Sequence, residues 1–140
     1  MDLQSVLSQV PLFAGLDDKV RRRLAEQGTR RTFGPGDYII RQGDPASALY
    51  IVLRGRVQVE QEDGGALQVL RELVPYAFFG EVALIEKTLR TASVKALEET
   101  ECLLLSAWEF TALLKEYPDM ADVVLHELID RLHRKEHQVL

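Results

Sequence analysis

Residues 79–92 read Phe-Gly-Glu-Val-Ala-Leu-Ile-Glu-Lys-Thr-Leu-Arg-Thr-Ala. A glycine, Gly80, is followed at once by a carboxylate, Glu81. Nine residues further on stands Arg90, with the hydroxyl of Thr91 beside it. These residue types divide the work of holding a phosphorylated sugar. The planar fork of Arg90 can grip two phosphate oxygens, and such a charge-assisted pair contributes roughly 1.5–3 kcal/mol net. Glu81 can accept a hydrogen bond from a sugar hydroxyl, as acidic residues do in other nucleotide sites. Gly80 has no Cβ, so an anion can come close to the backbone. A short helix opening after it would aim its first N–H groups and its positive dipole end at that anion. The set suits a ribose cyclic phosphate.

Seven positions, Gly80, Glu81, Ala83, Leu84, Arg90, Thr91 and Ala92, stand in register with one known pattern. The segment resembles the phosphate-binding cassette of cyclic nucleotide-binding domains. That family includes protein kinase A regulatory subunits, catabolite activator proteins and cyclic-nucleotide-gated channels. The resemblance implies that Arg90 is the main phosphate contact and that Glu81 accepts from the ribose 2′-hydroxyl. It places backbone N–H groups of Ala83 and Leu84 near the phosphate, with Gly80 and Val82 in the same binding segment. The implied ligand is cyclic AMP or cyclic GMP, with no cofactor and no metal. Family members that prefer cyclic GMP often carry threonine after the arginine, where its hydroxyl contacts the guanine amino group. Alanine or serine is commoner in cyclic AMP binders. Thr91 therefore leans slightly to guanine, and both nucleotides stay open. Two departures stand out. Val74-Pro75-Tyr76-Ala77-Phe78 replaces the Gly-x-Gly-Asp turn common before Phe-Gly-Glu, and Lys87 stands where many cassettes have glycine.

The elements that must position these groups follow from pattern. Residues 3–10 and 18–27 read as helices separated by Pro11, with Asp17 as an N-cap and Gly28 as a C-terminal stop. From 29 to 105 the period changes to two, with short apolar runs. Tyr38-Ile39-Ile40 is a strand between the turns at 34–37 and 43–45. Ala48 to Leu53 reads as a buried strand, and Arg56 to Glu60 as a half-buried one. Asp63-Gly64-Gly65 supplies hairpin chemistry before Leu67 to Leu73. Val94 to Ala96 and Cys102 to Leu105 complete the strands. Ser106 and Glu109 form a capping box that starts a helix at Ala107, ending near Tyr117. Pro118 opens a last helix whose Ala121, Val124, Leu125, Leu128 and Leu132 share one face. The reading is mainly β with flanking helices; many short strands broken by such turns suggest a sandwich or barrel. The resemblance implies an eight-stranded jelly-roll β-barrel, with N-terminal helices and two C-terminal helices. Its turn glycines fall at 36, 43, 55 and 80. The expected partition is one domain over 1–140: helices in 1–28, the β-barrel in 29–105 with the cassette at 79–92, and helices in 106–140. Leu70, Leu73 and Val69 are candidates to line the base, with a plain core role equally open. The last helix offers Leu128, Ile129 and Leu132 as an apolar lid over the base, or pairs with its twin in a homodimer, or both.

Totals bound the rest. A 140-residue chain with 46% hydrophobic and 28% charged residues reads as one globular domain. No apolar run approaches membrane-spanning length, so membrane insertion is not expected. One cysteine, Cys102, excludes an internal disulfide and reads as a small core residue. With no signal-peptide pattern, these features favour the cytoplasm. The net charge of −5 argues against nucleic-acid binding. The basic cluster Arg21, Arg22, Arg23, Arg30 and Arg31 reads first as a solvated helix face and a strand start, with an acidic docking partner as the functional alternative. His133 and His137 are four apart on a helix but lack a third ligand. Trp108 and Tyr117 read as packing residues. No nucleophile–base pair stands out, so the expectation is a sensor that binds and does not catalyse. Its effector is left open by the sequence. The rival reading is a jelly-roll interaction module that no longer binds nucleotide.

Overall fold

The computed structural model describes residues 3–80 and 89–134. Helix α1 (Leu3–Leu7) leads into a 3₁₀ turn at Pro11–Phe13 and helix α2 (Asp18–Gln27). Eight strands follow: β1 (Thr29–Phe33), β2 (Tyr38–Ile40), β3 (Ala48–Arg54), β4 (Val57–Asp63), β5 (Ala66–Leu73), β6 (Phe78–Phe79), β7 (Ser93–Ala96) and β8 (Thr100–Ser106). Helices α3 (Ala107–Glu116) and α4 (Pro118–Arg134) close the described chain.

The strands form two antiparallel four-stranded sheets, in the orders β1-β8-β3-β6 and β2-β7-β4-β5. This is the expected jelly-roll architecture, built as two separate facing sheets and not as a closed barrel. The two-residue turn at Gly64 and Gly65 joins β4 to β5, with both φ angles positive (61° and 85°), which matches a tight hairpin. Strand β6 is one the sequence pattern did not announce. It pairs Phe79 with Tyr50 and Phe78 with Ile51.

The β1-β8-β3-β6 sheet separates two cores because its strands alternate. Leu49, Ile51, Leu53, Leu103 and Leu105 face a core shared with the helices, including Phe13, Phe110, Met120 and Val124. Ala48, Tyr50, Val52 and Cys102 face the opposite sheet and meet Val57, Val59, Val94 and Ile40. Tyr50 and Phe79 stack there with ring centroids 5.2 Å apart. Burial pushes the Cys102 thiol up to about 12, with the Glu101 charge adding to it, so this cysteine is an inert core residue.

Local signals for the helices are realised with three corrections. Asp17 Oδ1 accepts from Val20 N at 3.0 Å, and the Ser106–Glu109 capping box is complete. Gly28, expected to end α2 in a left-handed turn, is extended (φ −69°, ψ 147°). It is required for space: a Cβ there would lie 2.5 Å from Leu103 Cδ1 and 2.8 Å from Leu24 O. The buried face of α4 is rotated from the expected one. Met120 and Val124 are buried, Val123 and Leu128 pack beside them, and Leu125 is 55% exposed. Trp108, expected to pack, is 80% exposed.

Two polar clusters hold the framework. Arg21, read from sequence as solvated, instead donates to the carbonyls of Phe13 (3.2 Å) and Leu16 and pairs with Asp18, closing the turn between the first two helices. Glu60, expected on a half-buried face, is 1% exposed. It accepts from Tyr38 Oη (2.9 Å) and Gln58 Nε2 (2.7 Å), and Lys95 Nζ lies 3.3 Å away. Burial pushes its carboxyl up, but the bonds from Tyr38, Gln58 and Lys95 outweigh this and hold it below its ordinary value.

Candidate functional site

Arg90 anchors the site. Its backbone is clamped to the turn before β3: Arg90 N donates to Asp44 O and Gly43 N donates to Arg90 O, both at 2.8 Å. The neighbouring pair Leu89 and Pro45 forms an isolated antiparallel bridge. Gly43 permits this turn by taking φ +91°. With its backbone fixed, the Arg90 side chain runs inward and is only 6% exposed. Nη1 donates to Gly80 O and Nη2 to Ala48 O, each at 2.6 Å. Both of these acceptors are backbone carbonyls, which fix the orientation of the guanidinium.

Gly80 is the second fixed point. Its φ of +93° belongs to the region that glycine occupies without strain. A Cβ at this position would sit 2.9 Å from Arg90 Nη1 and 3.3 Å from Ala48 O. The glycine therefore permits both a backbone conformation and the close approach of the arginine. Just upstream, the missing Gly-x-Gly-Asp turn has a visible consequence. Tyr76 itself takes a positive φ (80°), so the bend survives without a glycine. Tyr76 N donates to Val52 O at 2.8 Å, which holds the bend in place.

Of the residues expected to bind, the structure thus joins Gly80 and Arg90 directly. Thr91 follows on the surface, exposed, with its carbonyl accepting from Gln61 Nε2 at 3.0 Å. Glu81, Val82, Ala83 and Leu84 lie outside the described residues, and so does the short helix expected there. Leu132 lies in α4, with its side chain outside what is described. Leu70 and Leu73 pack against the inter-sheet core, whereas Val69 is 54% exposed on the outer side. Leu128 packs against the helical core, and Ile129 is 40% exposed.

Sequence reasoning missed the polar framing of the site. Gln42 holds β4 through both ends of its amide: Nε2 donates to Glu62 O (3.0 Å) and Oε1 accepts from Glu62 N (2.8 Å). Gln42 N donates to Ser93 Oγ at 2.9 Å. No local pattern marks a glutamine for this role. An open groove of about 400 Å³ runs between α4 and the turn before β6, lined by Pro11, Leu73, Tyr76, Phe78, Val123 and His126 among others. Among the described residues no three His, Cys, Asp or Glu side chains are placed to hold a metal ion. His133 is exposed, and His137 lies outside the described residues. No helix among them is long and apolar enough to cross a membrane.

Residues 30–117 match the cyclic nucleotide-binding domain family, and the chain belongs to it. The cAMP-dependent protein kinase regulatory subunit of Dictyostelium discoideum is 34% identical over 79% of this chain. The chain spans only 35% of that relative's length. Among solved structures, the Thermus thermophilus catabolite activator protein superposes with a TM-score of 0.82 at 33% identity, covering 92% of this chain and 61% of that one. The regulatory subunit of a cAMP-independent protein kinase A from Trypanosoma cruzi, bound to guanosine, superposes with a TM-score of 0.82 at 27% identity, covering 96% and 47%. By their names these relatives are regulators, and none is a catalytic subunit.

Proposed function

We propose that this chain is a sensor domain that binds a cyclic nucleotide without hydrolysing it and signals through the position of its last helix. The observation that carries this reading is Arg90. A buried guanidinium is costly unless it is well bonded. Here it is oriented by two backbone carbonyls and faced by a glycine in a positive-φ conformation. Such a group is preorganised to meet an anion, which lowers the ordering cost of binding. In this reading Arg90 grips the cyclic phosphate, Glu81 accepts from the ribose 2′-hydroxyl, and backbone N–H groups of Gly80, Val82, Ala83 and Leu84 surround the phosphate. Thr91 stands at the rim. Cyclic AMP is the ligand suggested by the kinase relative's name, and cyclic GMP is its competitor.

The readout is the last helix, α4, whose Val123 and His126 line the groove beside Leu73. Leu73 also packs on the inter-sheet core, so one residue touches both the helix groove and the core that adjoins Arg90. A ligand shifts such an arrangement only through its differential affinity for two states. The exposed Leu125 and Ile129 form an apolar stripe suited to a second copy of the helix. Leu125→Glu should convert a concentration-dependent dimer to monomer by light scattering; an unchanged mass would remove the stripe from the interface.

Calorimetric titration with cyclic AMP and with cyclic GMP tests the reading. Tight binding of either, weakened at least 100-fold in Arg90→Ala that is shown to be folded, is the expected result. No heat with either, from folded protein free of co-purified nucleotide, would replace the sensor reading with that of an interaction module.

A further inference from the structure

The loop that carries Arg90 is pinned at each residue from 89 to 93. Leu89 bridges Pro45, and the Arg90 backbone bonds Asp44 and Gly43. The Thr91 carbonyl accepts from Gln61 Nε2 at 3.0 Å, and Ala92 packs against the inter-sheet core. Ser93 Oγ accepts from Gln42 N at 2.9 Å. Two of these ties lead to glutamines, Gln42 and Gln61, that the phosphate site does not include.

Strand pairing explains why glutamines stand there. Strand β7 starts at Ser93, which pairs with Glu60 of β4. Strand β4 runs on to Asp63, so Gln61 and Glu62 extend past the end of their neighbour on that side. Main-chain groups beyond that end need other partners. The Gln42 side chain serves as one, because an amide carries a donor and an acceptor spaced like those of a peptide group. It bonds the carbonyl of Glu62 at 3.0 Å and the N–H of Glu62 at 2.8 Å. Gln42 directly precedes Gly43, whose N–H holds the Arg90 carbonyl. Two adjacent residues of β4 therefore hold the arginine loop at two points. Glu62 acts through Gln42 and the turn at 43–44, and Gln61 acts through the Thr91 carbonyl.

We propose that Gln42 and Gln61 are positioning residues for nucleotide binding, which lock the Arg90 loop to the β4–β5 hairpin and keep its guanidinium aimed. This rests on the cyclic-nucleotide reading above. A planar fork must meet two phosphate oxygens at once, so a small shift of its backbone spoils both bonds. The glutamine bonds lie at the surface, where water competes, so each is worth only the net value of a hydrogen bond. That value corresponds to about two- to tenfold in affinity.

The test substitutes Gln42→Met and Gln61→Met, which keep side-chain length and remove the amide. Thermal melts identify the variants as folded. Calorimetric titration of the whole chain with cyclic AMP and with cyclic GMP should show binding weakened about two- to tenfold in each variant. In an Arg90→Lys background, where no fork remains to be aimed, the same substitutions should change affinity by less than about twofold. Nitrogen NMR of nucleotide-free protein supplies a second readout: exchange of the Arg90 Nε–H should speed up at least about twofold in each variant. Equal weakening in the Arg90 and Arg90→Lys backgrounds would make the glutamines merely structural and overturn the proposal, as would unchanged Arg90 Nε–H exchange. A wild-type chain that binds neither nucleotide overturns the sensor reading and, with it, a role for the glutamines in binding. Tight wild-type binding that both glutamine variants retain overturns this proposal alone.

Discussion

Arg90→Ala should weaken the folded protein even when no nucleotide is present. The side chain is 6% exposed and donates to Gly80 O and Ala48 O, each at 2.6 Å. Removing the donor leaves two inward carbonyls short of a partner, at about 1–3 kcal/mol for each buried group left unsatisfied. Some of this is recovered where water reaches the vacated space. The expected loss is therefore about 2–5 kcal/mol, a large part of a domain stability of roughly 5–15 kcal/mol. Arg90→Lys should lose less, because an ammonium can still reach one carbonyl but cannot span both. Urea unfolding of nucleotide-free protein, followed by far-ultraviolet circular dichroism, measures this. Trp108 fluorescence is a poor probe, since the ring is already 80% exposed in the folded state. An unfolding free energy for Arg90→Ala within about 0.5 kcal/mol of wild type, the ordinary range for a surface change, would refute the carbonyl clamp.

Gly80→Ala should cost about 2–4 kcal/mol, combining the strain of a positive φ with displacement of Arg90 Nη1 from a Cβ only 2.9 Å away; an unchanged urea midpoint would contradict that geometry. Glu60 gives a pH signature: its folded carboxyl lies below the unfolded value of 4.5, so its contribution is complete above 4.5 and is lost as pH falls through the depressed folded value. Wild-type stability should therefore drop on acidification below pH 4.5, and Glu60→Gln should flatten that drop while being less stable at pH 7; identical slopes would exclude Glu60 as a source. Phe78→Leu, a swap of about 1 kcal/mol, should speed amide exchange both in α4 and around Arg90, and acceleration confined to one of the two would break the link between them.

The strand framework was legible because its turns are chemically marked. Gly43, Gly64 and Gly65 all take positive φ where the sequence has turn signals, and Asp17 and Ser106 cap helices as read. Gly80 and Arg90 were legible as a pair because two rare requirements coincide at fixed spacing. The remainder depended on partners distant in sequence. Gly28 looks like an ordinary helix stop, and only the packing of Leu103 against it shows why a side chain is excluded. Glu60 sits in a clean alternation that predicts a wet face, yet Lys95 from the adjacent strand β7 and Tyr38 from β2 beyond it bond to it. Arg71 is hidden more deeply. Plain alternation along β5 gives adjacent Leu70 and Arg71 opposite faces, but the bulge between β4 and β5 sets Leu70 against the inter-sheet core and Arg71 opposite the buried Val59. Beta-bulges are set by pairing across strands, so no local pattern announces them.

The placement of β6 gives the site its mechanical character. Three consecutive residues touch three different regions. Phe78 is buried in the helical core and lines the groove beside α4, Phe79 stacks on Tyr50 in the inter-sheet core, and Gly80 presents its carbonyl to Arg90. The strand is only two residues long, so it has little backbone to absorb a displacement. Its two aromatic rings are held on opposite faces, at 7% and 2% exposure, and close-packed surroundings resist independent rotation of either. A shift of the Gly80 carbonyl must therefore move packed rings on both sides of the sheet together. In the proposed sensor, an anion that draws on Arg90 competes with that carbonyl for the same guanidinium. In that reading, this two-residue strand is where the phosphate contact and the seat of the last helix meet.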